Sequence, residues 1–225
     1  SEQPEFPAIA LVVSGGHTQL ILMKGVGKYK IIGETRDDAA GECFDKCAKI
    51  LGLGYPGGPI ISKIAEAEKQ NYSLIRMNKR IVLPRPMINT KDYDFSFSGL
   101  KTAVLYRVRE EKKNPSSQSS SGRDFVSNMC FEVQQSIIDV LLKKTINATK
   151  NYKAKTIILG GGVSANNELR KQLKEKIEKD IPDTKYLIPD SSLSTDNALM
   201  IAFAAYFNRN KKASWQKLKA NANLR

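Results

Sequence analysis

The pattern of apolar residues predicts a small sheet in the first third of the chain. Ala8–Val13 is a short apolar run rich in branched side chains, and two similar segments follow it at 19–23 and 29–33. The turns between these segments are short and contain glycine, which is typical of neighbouring antiparallel strands. We therefore predict a three-stranded antiparallel meander.

Helical spacing begins near Ala39, where apolar residues recur at three- and four-residue steps until Gly52 and Gly54 end the pattern. Residues 70–93 are polar and broken by prolines, which predicts irregular structure, and the serine-rich stretch 114–122 predicts a flexible loop. Alternation over 95–98 predicts a short strand. The further helices are predicted at 60–68, from Gly99 for about a dozen residues, at 123–152, at 165–178 and at 198–207.

The last third alternates strands with helices. The predicted strands at 156–159 and 186–188 are separated by a helix, and this order is typical of parallel strands joined by crossover connections. The predicted fold class is therefore α/β, with the meander continuing into parallel βαβ units.

The composition is that of an ordinary globular protein. The 225 residues include 36 Lys and Arg against 23 Asp and Glu, a net charge of +13, and 26% are charged. The apolar runs are far shorter than the roughly 20 residues of a membrane span, no secretory leader is recognised, and three cysteines favour a reducing compartment. We expect a soluble cytoplasmic protein without a membrane partner.

Basic residues accumulate at the end of the chain. No acidic residue follows Asn197, whereas six Lys or Arg side chains, Arg225 included, follow that residue. This basic tail is suited to phosphate contacts, but it is equally suited to being a solvated surface.

Two glycine clusters each follow an apolar strand. The first is Ser14, Gly15, Gly16, His17 and Thr18, and the second runs from Gly160 to Asn166. Glycine lets backbone amides approach a ligand closely, so together the clusters predict a phosphate-binding cleft. Neither matches the Walker or dinucleotide-binding fingerprints. Each cluster taken alone is also explained as a tight turn.

Several carboxylates have both a structural and a chemical interpretation. Asp37 or Asp38 is placed to cap the first helix. Asp45 is placed to bind ribose hydroxyls, although its spacing favours an ion pair with Lys49. Asp196 precedes the last helix as a cap residue, and it is also a candidate metal ligand, but one carboxylate is not a metal site.

Histidine and cysteine offer little metal chemistry. His17 is the one histidine in the sequence, so a site with two histidines cannot be formed from this chain. Cys43 and Cys47 are four residues apart and lack a CxxC pair. We therefore expect these two and Cys130 to be buried thiols rather than zinc ligands.

Five segments, in order along the chain, resemble the tRNA threonylcarbamoyladenosine transferase family. The resemblance implies the actin/Hsp70/sugar-kinase fold, in which two lobes enclose a nucleotide cleft, and the whole of 1–225 matches the second lobe. The segments are LVVSGGHTQL at 11–20, DDAAGECFDKCAKILGLGYPGGP at 37–59, DFSFSGLKT at 94–102, LGGGVSANNELR at 159–170 and STDNALMIA at 194–202.

The resemblance implies roles for particular residues. The 14–18 cluster would line the site of an adenylate, which is threonylcarbamoyl-AMP or ATP. Asp45 would bind the ribose with Gly58 beside it, and Asn166 would contact the same ligand. Asp196 would hold a divalent metal, either iron, zinc or magnesium. No residue is assigned as the catalytic base.

The family's first lobe, with its H-x-x-x-H metal ligands, has no counterpart in this sequence. We therefore expect residues 1–225 alone neither to hold the metal normally nor to transfer the group.

The implied reaction is transfer of a threonylcarbamoyl group to N6 of adenosine 37 in tRNAs that read codons beginning with A. The implied partners are tRNA and, in bacteria, a paralogous subunit and a small accessory ATPase. In mitochondria, the alternative location, a homodimer is implied. Two alternative functions are also compatible with the sequence: an ATPase or small-molecule kinase of the same fold, and a non-catalytic tRNA-binding module.

Overall fold

A computed structural model describes residues 3–74, 81–113, 122–190, 193–194, 197–210, 214, 216 and 219 of the 225. Contacts divide the chain into two compact units, Ser1–Thr195 and Asp196–Arg225.

The first unit contains a mixed sheet that is five-stranded in the part of the chain described. Its strand order is β3-β2-β1-β4-β5. The first three strands pair antiparallel and β1 pairs parallel with β4, as does β4 with β5, so the predicted meander and the parallel continuation are confirmed. The strands are β1 (Ala8–Val13), β2 (Thr18–Gly25), β3 (Lys28–Glu34), β4 (Thr156–Gly160) and β5 (Lys185–Leu187).

Helices of the first unit pack their apolar side chains against this sheet in one continuous core. The core includes the fully buried Phe95 and Phe97, together with Leu11 of the central strand β1 and Ile137. The helices are α1 (Ala40–Ile50), α2 (Gly57–Leu74), α3 (Ser98–Lys113), α4 (Gly122–Asn151) and α5 (Asn167–Asp180), and a 3-10 turn occupies Gly162–Ala165.

Three local predictions were wrong. Helix α2 continues to Leu74, into the segment predicted to be irregular from residue 70. Residues 95–98 do not form a strand: Phe95 makes an isolated bridge with Thr35, and α3 begins at Ser98. Helix α5 begins at Asn167 instead of residue 165, because the 3-10 turn precedes it.

The predicted serine-rich loop lies mainly outside the described residues, which exclude 114–121. Gly122, the last residue of that predicted loop, is the first residue of α4.

Buried charges fasten the segment before α3 to helix α4. Lys144 is 1% exposed, and its Nζ donates to Thr90 Oγ1 at 2.6 Å and to the Asp92 carbonyl oxygen at 2.8 Å. Arg85 pairs with Glu132, and its Nε lies 2.9 Å from Asp139 Oδ2. A buried charge is costly unless it is paired, so these contacts define the path of the segment.

The second unit contains helix α6 (Ala198–Asn208), which confirms the predicted last helix. Asn197 caps it by accepting a hydrogen bond from Met200 N–H at 3.0 Å. Asp196 and most of the basic tail lie outside the described residues. Among the helices described in the whole chain, none is both long and apolar enough to cross a membrane.

We expect Gly33→Ala to destabilise the first unit by roughly 2 kcal/mol, because overpacking forces backbone shifts. A Cβ at Gly33 would lie 2.1 Å from the Tyr93 carbonyl oxygen, whereas one at Gly25 would have Lys28 Cδ at 3.9 Å as its nearest neighbour. Urea unfolding checks this prediction, with Gly25→Ala as the control on the same hairpin. Equal stability of the two variants would contradict it.

Candidate functional site

A cleft of about 460 Å³ opens where β1 and β4 end. Gly15 follows β1 and Gly162 follows β4, and ligands of open α/β sheets bind at the carboxyl ends of such strands. The cleft lies entirely within the first unit. Its lining residues are Gly15, Gly41, Phe44, Asp45, Pro56, Gly58, Pro59, Ser62, Lys63, Glu66, Gly162, Val163, Ala165, Asn166 and Asn167.

The first glycine cluster forms a tight loop that rests on the start of α1. Ser14 Oγ accepts hydrogen bonds from Gly16 N–H at 3.3 Å and from His17 N–H at 3.0 Å. Gly41 N–H donates to the Ser14 carbonyl at 3.2 Å, and a Cβ at Gly41 would lie 2.6 Å from that oxygen. The loop and the helix therefore meet backbone to backbone.

Within this cluster, Gly15 alone lines the cleft. Thr18 is fully buried, and its hydroxyl oxygen accepts a hydrogen bond from Ala40 N–H at 2.9 Å, which satisfies one of the free amides at the start of α1. Gly16 and His17 are exposed outside the lining. The structure thus gives Ser14 and Thr18 positions that hold the loop.

The second glycine cluster is shaped by one strained position. Gly161 has φ +86°, and a Cβ there would lie 2.4 Å from the Val13 carbonyl oxygen, so glycine is required for β4 to turn beside β1. Ser164 is buried and its Oγ lies 3.2 Å from Ser194 Oγ. Arg170 Nε donates to the Ser164 carbonyl.

Asn166 joins three helices at the wall of the cleft. Its Oδ1 accepts from Leu169 N–H at 2.9 Å, which caps α5, and its Nδ2 donates to Gln134 Oε1 at 2.9 Å on α4 and to Ser62 Oγ at 3.3 Å on α2. Both of its N–H groups are therefore used, and one lone pair of Oδ1 remains for a ligand.

Asp45 links α1 to the start of α2. Its Oδ1 accepts a hydrogen bond from Gly57 N–H at 2.7 Å. In the described chain no ion pair joins Asp45 to Lys49, so the interpretation favoured by spacing is wrong: the carboxylate caps the next helix instead. A Cβ at Gly57 would lie 2.6 Å from Ala48 Cβ, so the two helices touch here and Gly58 reaches the cleft.

Asp37 also caps a different helix from the one predicted. The N-cap of α1 is Ala39, whereas Asp37 accepts from the N–H of Phe97 at 2.8 Å and from the hydroxyls of Ser96 and Ser98 at 2.6 Å each, at the start of α3. Burial alone would raise the pKa of this carboxyl group, but these hydrogen bonds outweigh it and lower the pKa.

Asp38 forms ion pairs instead of a cap. Its carboxylate lies 2.7 Å from Lys46 Nζ and 2.9 Å from Lys101 Nζ. Burial opposes ionisation, but hydrogen bonds and charge from the two lysines lower the pKa of Asp38. The pair of aspartates therefore fastens α3 to α1 and lies outside the cleft lining.

The cysteines pack in the core. Cys43 and Cys47 are fully buried with their sulfur atoms 3.9 Å apart. The contact with Cys47 and burial raise the pKa of the Cys43 thiol, and burial raises the pKa of Cys130 to about 12. Both shifts favour the neutral thiol of Cys43 and of Cys130.

Side chains of α2 complete the cleft and escaped the sequence analysis. Ser62, Lys63 and Glu66 line it together with Gly58. Their signal was present, because residues 58, 62 and 66 recur every four positions and so lie on one helical face. The sequence does not show that Gly58 faces a cleft, so this helical face could not be distinguished from an ordinary solvated surface.

The described residues do not by themselves fit a metal ion, since no group of three His, Cys, Asp or Glu side chains within them is placed to hold one. Asp196, the predicted ligand, lies outside this part of the chain.

The strand order and the cleft beyond β1 and β4 define an α/β lobe of the actin/Hsp70/sugar-kinase type. The family model described as tRNA N6-adenosine threonylcarbamoyltransferase matches residues 1–203. The chain belongs to this family.

Individual relatives agree with the family model. The chain is 46% identical over 202 residues to a protein of that name from Chromobacterium violaceum, which covers 90% of this chain and 55% of the relative. It is 48% identical over 203 residues to one from Bordetella avium, with shares of 90% and 55%. It is 45% identical over 222 residues to one from Geobacillus kaustophilus, and the match covers 97% of this chain and 59% of that relative. The chain thus spans about half the length of the curated relatives it matches.

Asp37→Ala is expected to cost about 1 kcal/mol of unfolding free energy at pH 7, the usual value of a lost helix cap. Because the folded-state pKa of Asp37 is depressed, its contribution is present above the unfolded pKa, near 4, and is lost as the pH falls through the folded pKa. The difference between the wild type and the variant should therefore shrink below about pH 4.

Urea unfolding at neutral and acidic pH measures this difference. The control is Asp183→Ala, which removes an exposed aspartate elsewhere on the first unit. A constant difference at all pH values would show that the carboxylate charge of Asp37 does not contribute.

Proposed function

We propose that this cleft binds threonylcarbamoyl-AMP and takes part in transferring its threonylcarbamoyl group to N6 of adenosine 37 in tRNAs that read codons beginning with A. The observation that carries the proposal is the meeting of Gly15, Asp45, Gly58 and Asn166, which are far apart in sequence, in one cleft. Membership of the family supports the same reaction.

The glycines of the cleft support a ligand that approaches the backbone. A Cβ at Gly15 or Gly162 would meet nothing within 4 Å, and neither residue has a left-handed backbone. Packing and conformation therefore do not require glycine at these positions, in contrast to Gly161 and Gly41. A phosphate held by backbone N–H groups would require it.

Asp45 is suited to the ribose. Gly57 N–H is its one hydrogen-bond donor among the described residues, so the other carboxylate oxygen is available to accept from ribose hydroxyls at the cleft. The Gly57 contact also holds the carboxylate in place, which reduces the entropy lost on binding. Asn166 would add an acceptor through the remaining lone pair of Oδ1.

The reaction would replace one bond to the carbamoyl carbon by another. The N6 amino group of the adenosine attacks that carbon, the bond from the carbon to the phosphate oxygen breaks, and AMP leaves with the electron pair. The amino group loses a proton to an acceptor that we do not assign. The part of the cleft lined by Gly15, Asp45 and Asn166 would hold the leaving nucleotide still during this exchange.

A divalent metal, either iron, zinc or magnesium, is part of the proposal through Asp196. When bound, such an ion would act as a Lewis acid that polarises carbonyl or phosphate oxygens.

The partners are proposed on the same basis. Transfer to tRNA makes tRNA a substrate, and the paralogous subunit with the small ATPase, or a homodimer, would assemble around the enzyme in the cytoplasm or in mitochondria.

Asp45→Asn should weaken AMP binding about 10- to 100-fold, as expected when a charged hydrogen-bond acceptor is neutralised. The amide oxygen can still accept from Gly57 N–H, so the thermal stability should change little. Calorimetric titration of residues 1–225 with AMP and ATP measures the affinity. Unchanged affinity would show that Asp45 does not contribute to nucleotide binding.

The reaction itself is tested with the protein encoded by the whole reading frame. Mass spectrometry of tRNA nucleosides should show threonylcarbamoyladenosine with the wild type and a clear loss with Asp45→Asn. Turnover of ATP that does not need tRNA would instead favour an ATPase or kinase.

Gly162→Val should abolish AMP binding while leaving stability within about 0.5 kcal/mol, because the added side chain enters open cleft space instead of protein. Gly161→Ala is the contrasting variant. Because residue 161 has a left-handed backbone, this substitution should lower the free energy of unfolding, measured in urea, by about 2 kcal/mol or more. If Gly162→Val binds AMP normally, the nucleotide does not lie against this loop.

A further inference from the structure

The β2–β3 hairpin is an exposed basic projection. Lys24, Lys28 and Lys30, which we term the hairpin lysines, lie within seven residues of one another around its turn, and all three are exposed. In the sequence no acidic residue occurs between Glu5 and Glu34. Among the described residues, none forms an ion pair with a hairpin lysine.

Several lysines elsewhere on the first unit form ion pairs, unlike the hairpin lysines. On α5, Lys171 and Lys174 each have a glutamate one turn along, at 3.8 and 3.9 Å, and Lys176 lies 2.9 Å from Asp180. The positive charge of the hairpin is therefore left available to an external anion.

The hairpin turn lies at the opposite end of the sheet from the cleft. Ala8, the first residue of β1, pairs with Met23 and with Thr156, whereas the cleft begins beyond Val13. The six residues of β1 separate the two ends by about 20 Å. A ligand that used both surfaces would have to be long.

Neighbouring strands extend the positive character at this end. Lys155 precedes β4, and its backbone N–H donates a hydrogen bond to the Pro7 carbonyl at 2.8 Å. Pro7 immediately precedes β1, the strand that pairs with β2. The acids at this end lie towards β5, where Glu5 pairs with Lys185 and Asp183 is exposed. Four strand intervals, about 19 Å, separate β5 from β3.

The exposed side chains between the lysines favour a nucleic acid over a lipid surface. Tyr29, between Lys28 and Lys30, is 60% exposed, and Val26 at the turn is 51% exposed. Because successive side chains of a strand point to opposite faces, the exposed Tyr29 ring lies on the other face of β3 from Lys28 and Lys30. Two such side chains form no apolar face large enough to enter a bilayer.

We propose that the hairpin lysines form a second tRNA-binding surface, which contacts phosphates of the RNA body while the modified nucleoside occupies the cleft. This inference rests on the proposed function, because it takes tRNA to be the substrate. It adds a surface about 20 Å from the chemistry, and only a ligand of the size of a folded RNA would reach both.

The test compares two triple variants of equal charge change in the full 225-residue chain. One is Lys24→Gln/Lys28→Gln/Lys30→Gln, and the control on α5 replaces the three ion-paired lysines, Lys171→Gln/Lys174→Gln/Lys176→Gln. The probe is an unmodified transcript of a tRNA that reads a codon beginning with A, and its affinity is measured by filter binding at several salt concentrations.

We expect the hairpin variant to lose about 10-fold or more in affinity and to lower the salt slope of the binding constant by about 2 to 3, the effect of three lost phosphate contacts. The α5 variant should change affinity less than about 2-fold. Equal weakening by both variants, or none by either, would overturn the proposal, as would absence of tRNA binding by the unsubstituted chain at low salt.

Two further measurements separate this inference from neighbouring ones. The affinity for AMP should be unchanged in both variants. Failure of the unsubstituted chain to bind AMP would count against the proposed function. A loss of tRNA binding that is specific to the hairpin variant would still support this surface. Lysine-dependent binding to phosphatidylcholine–phosphatidylserine vesicles in preference to tRNA would overturn it and indicate a membrane contact.

Discussion

The close approach of backbone segments around the end of β1 is the constraint on which the candidate site depends. Gly41 lets the start of α1 touch the loop after β1, and Gly161 lets the turn after β4 pass the Val13 carbonyl. A side chain at either position would separate these elements by the width of a methyl group. Because both contacts surround the same strand end, they bring the two glycine clusters to one cleft.

Polar side chains then connect the helices around this cleft through hydrogen bonds that cross from one element to another. Asp45 of α1 binds the first amide of α2, Asp37 binds the start of α3, and Asn166 connects α5 to α4 and α2. A cap made across elements satisfies an orphan amide and fixes the relation of two helices at once. Asp45 also lines the cleft, so the side chain that holds the start of α2 borders the candidate site as well.

Much of the fold was predictable from the sequence because its signals are local. β1 was predicted with its observed bounds, since apolar branched residues followed by glycine define a buried strand without reference to other segments. The short strand at 95–98 was not observed, because the distant Asp37 supplies the cap that starts a helix at Ser98. Neither alternation nor helical spacing carries information about a partner 60 residues away.

The sequence by itself determined the family, the α/β class and the residue types available to the candidate site, because its motifs and periodicities are short-range features. Only the tertiary structure decided which of those residues meet. It placed Gly15, Asp45, Gly58 and Asn166 at one cleft, used Thr18 and Asp37 to hold helices, and put the hairpin lysines at the far end of the sheet. The physical reason is that strand order and helix caps depend on contacts between distant segments, whose energies exist only once the chain has folded.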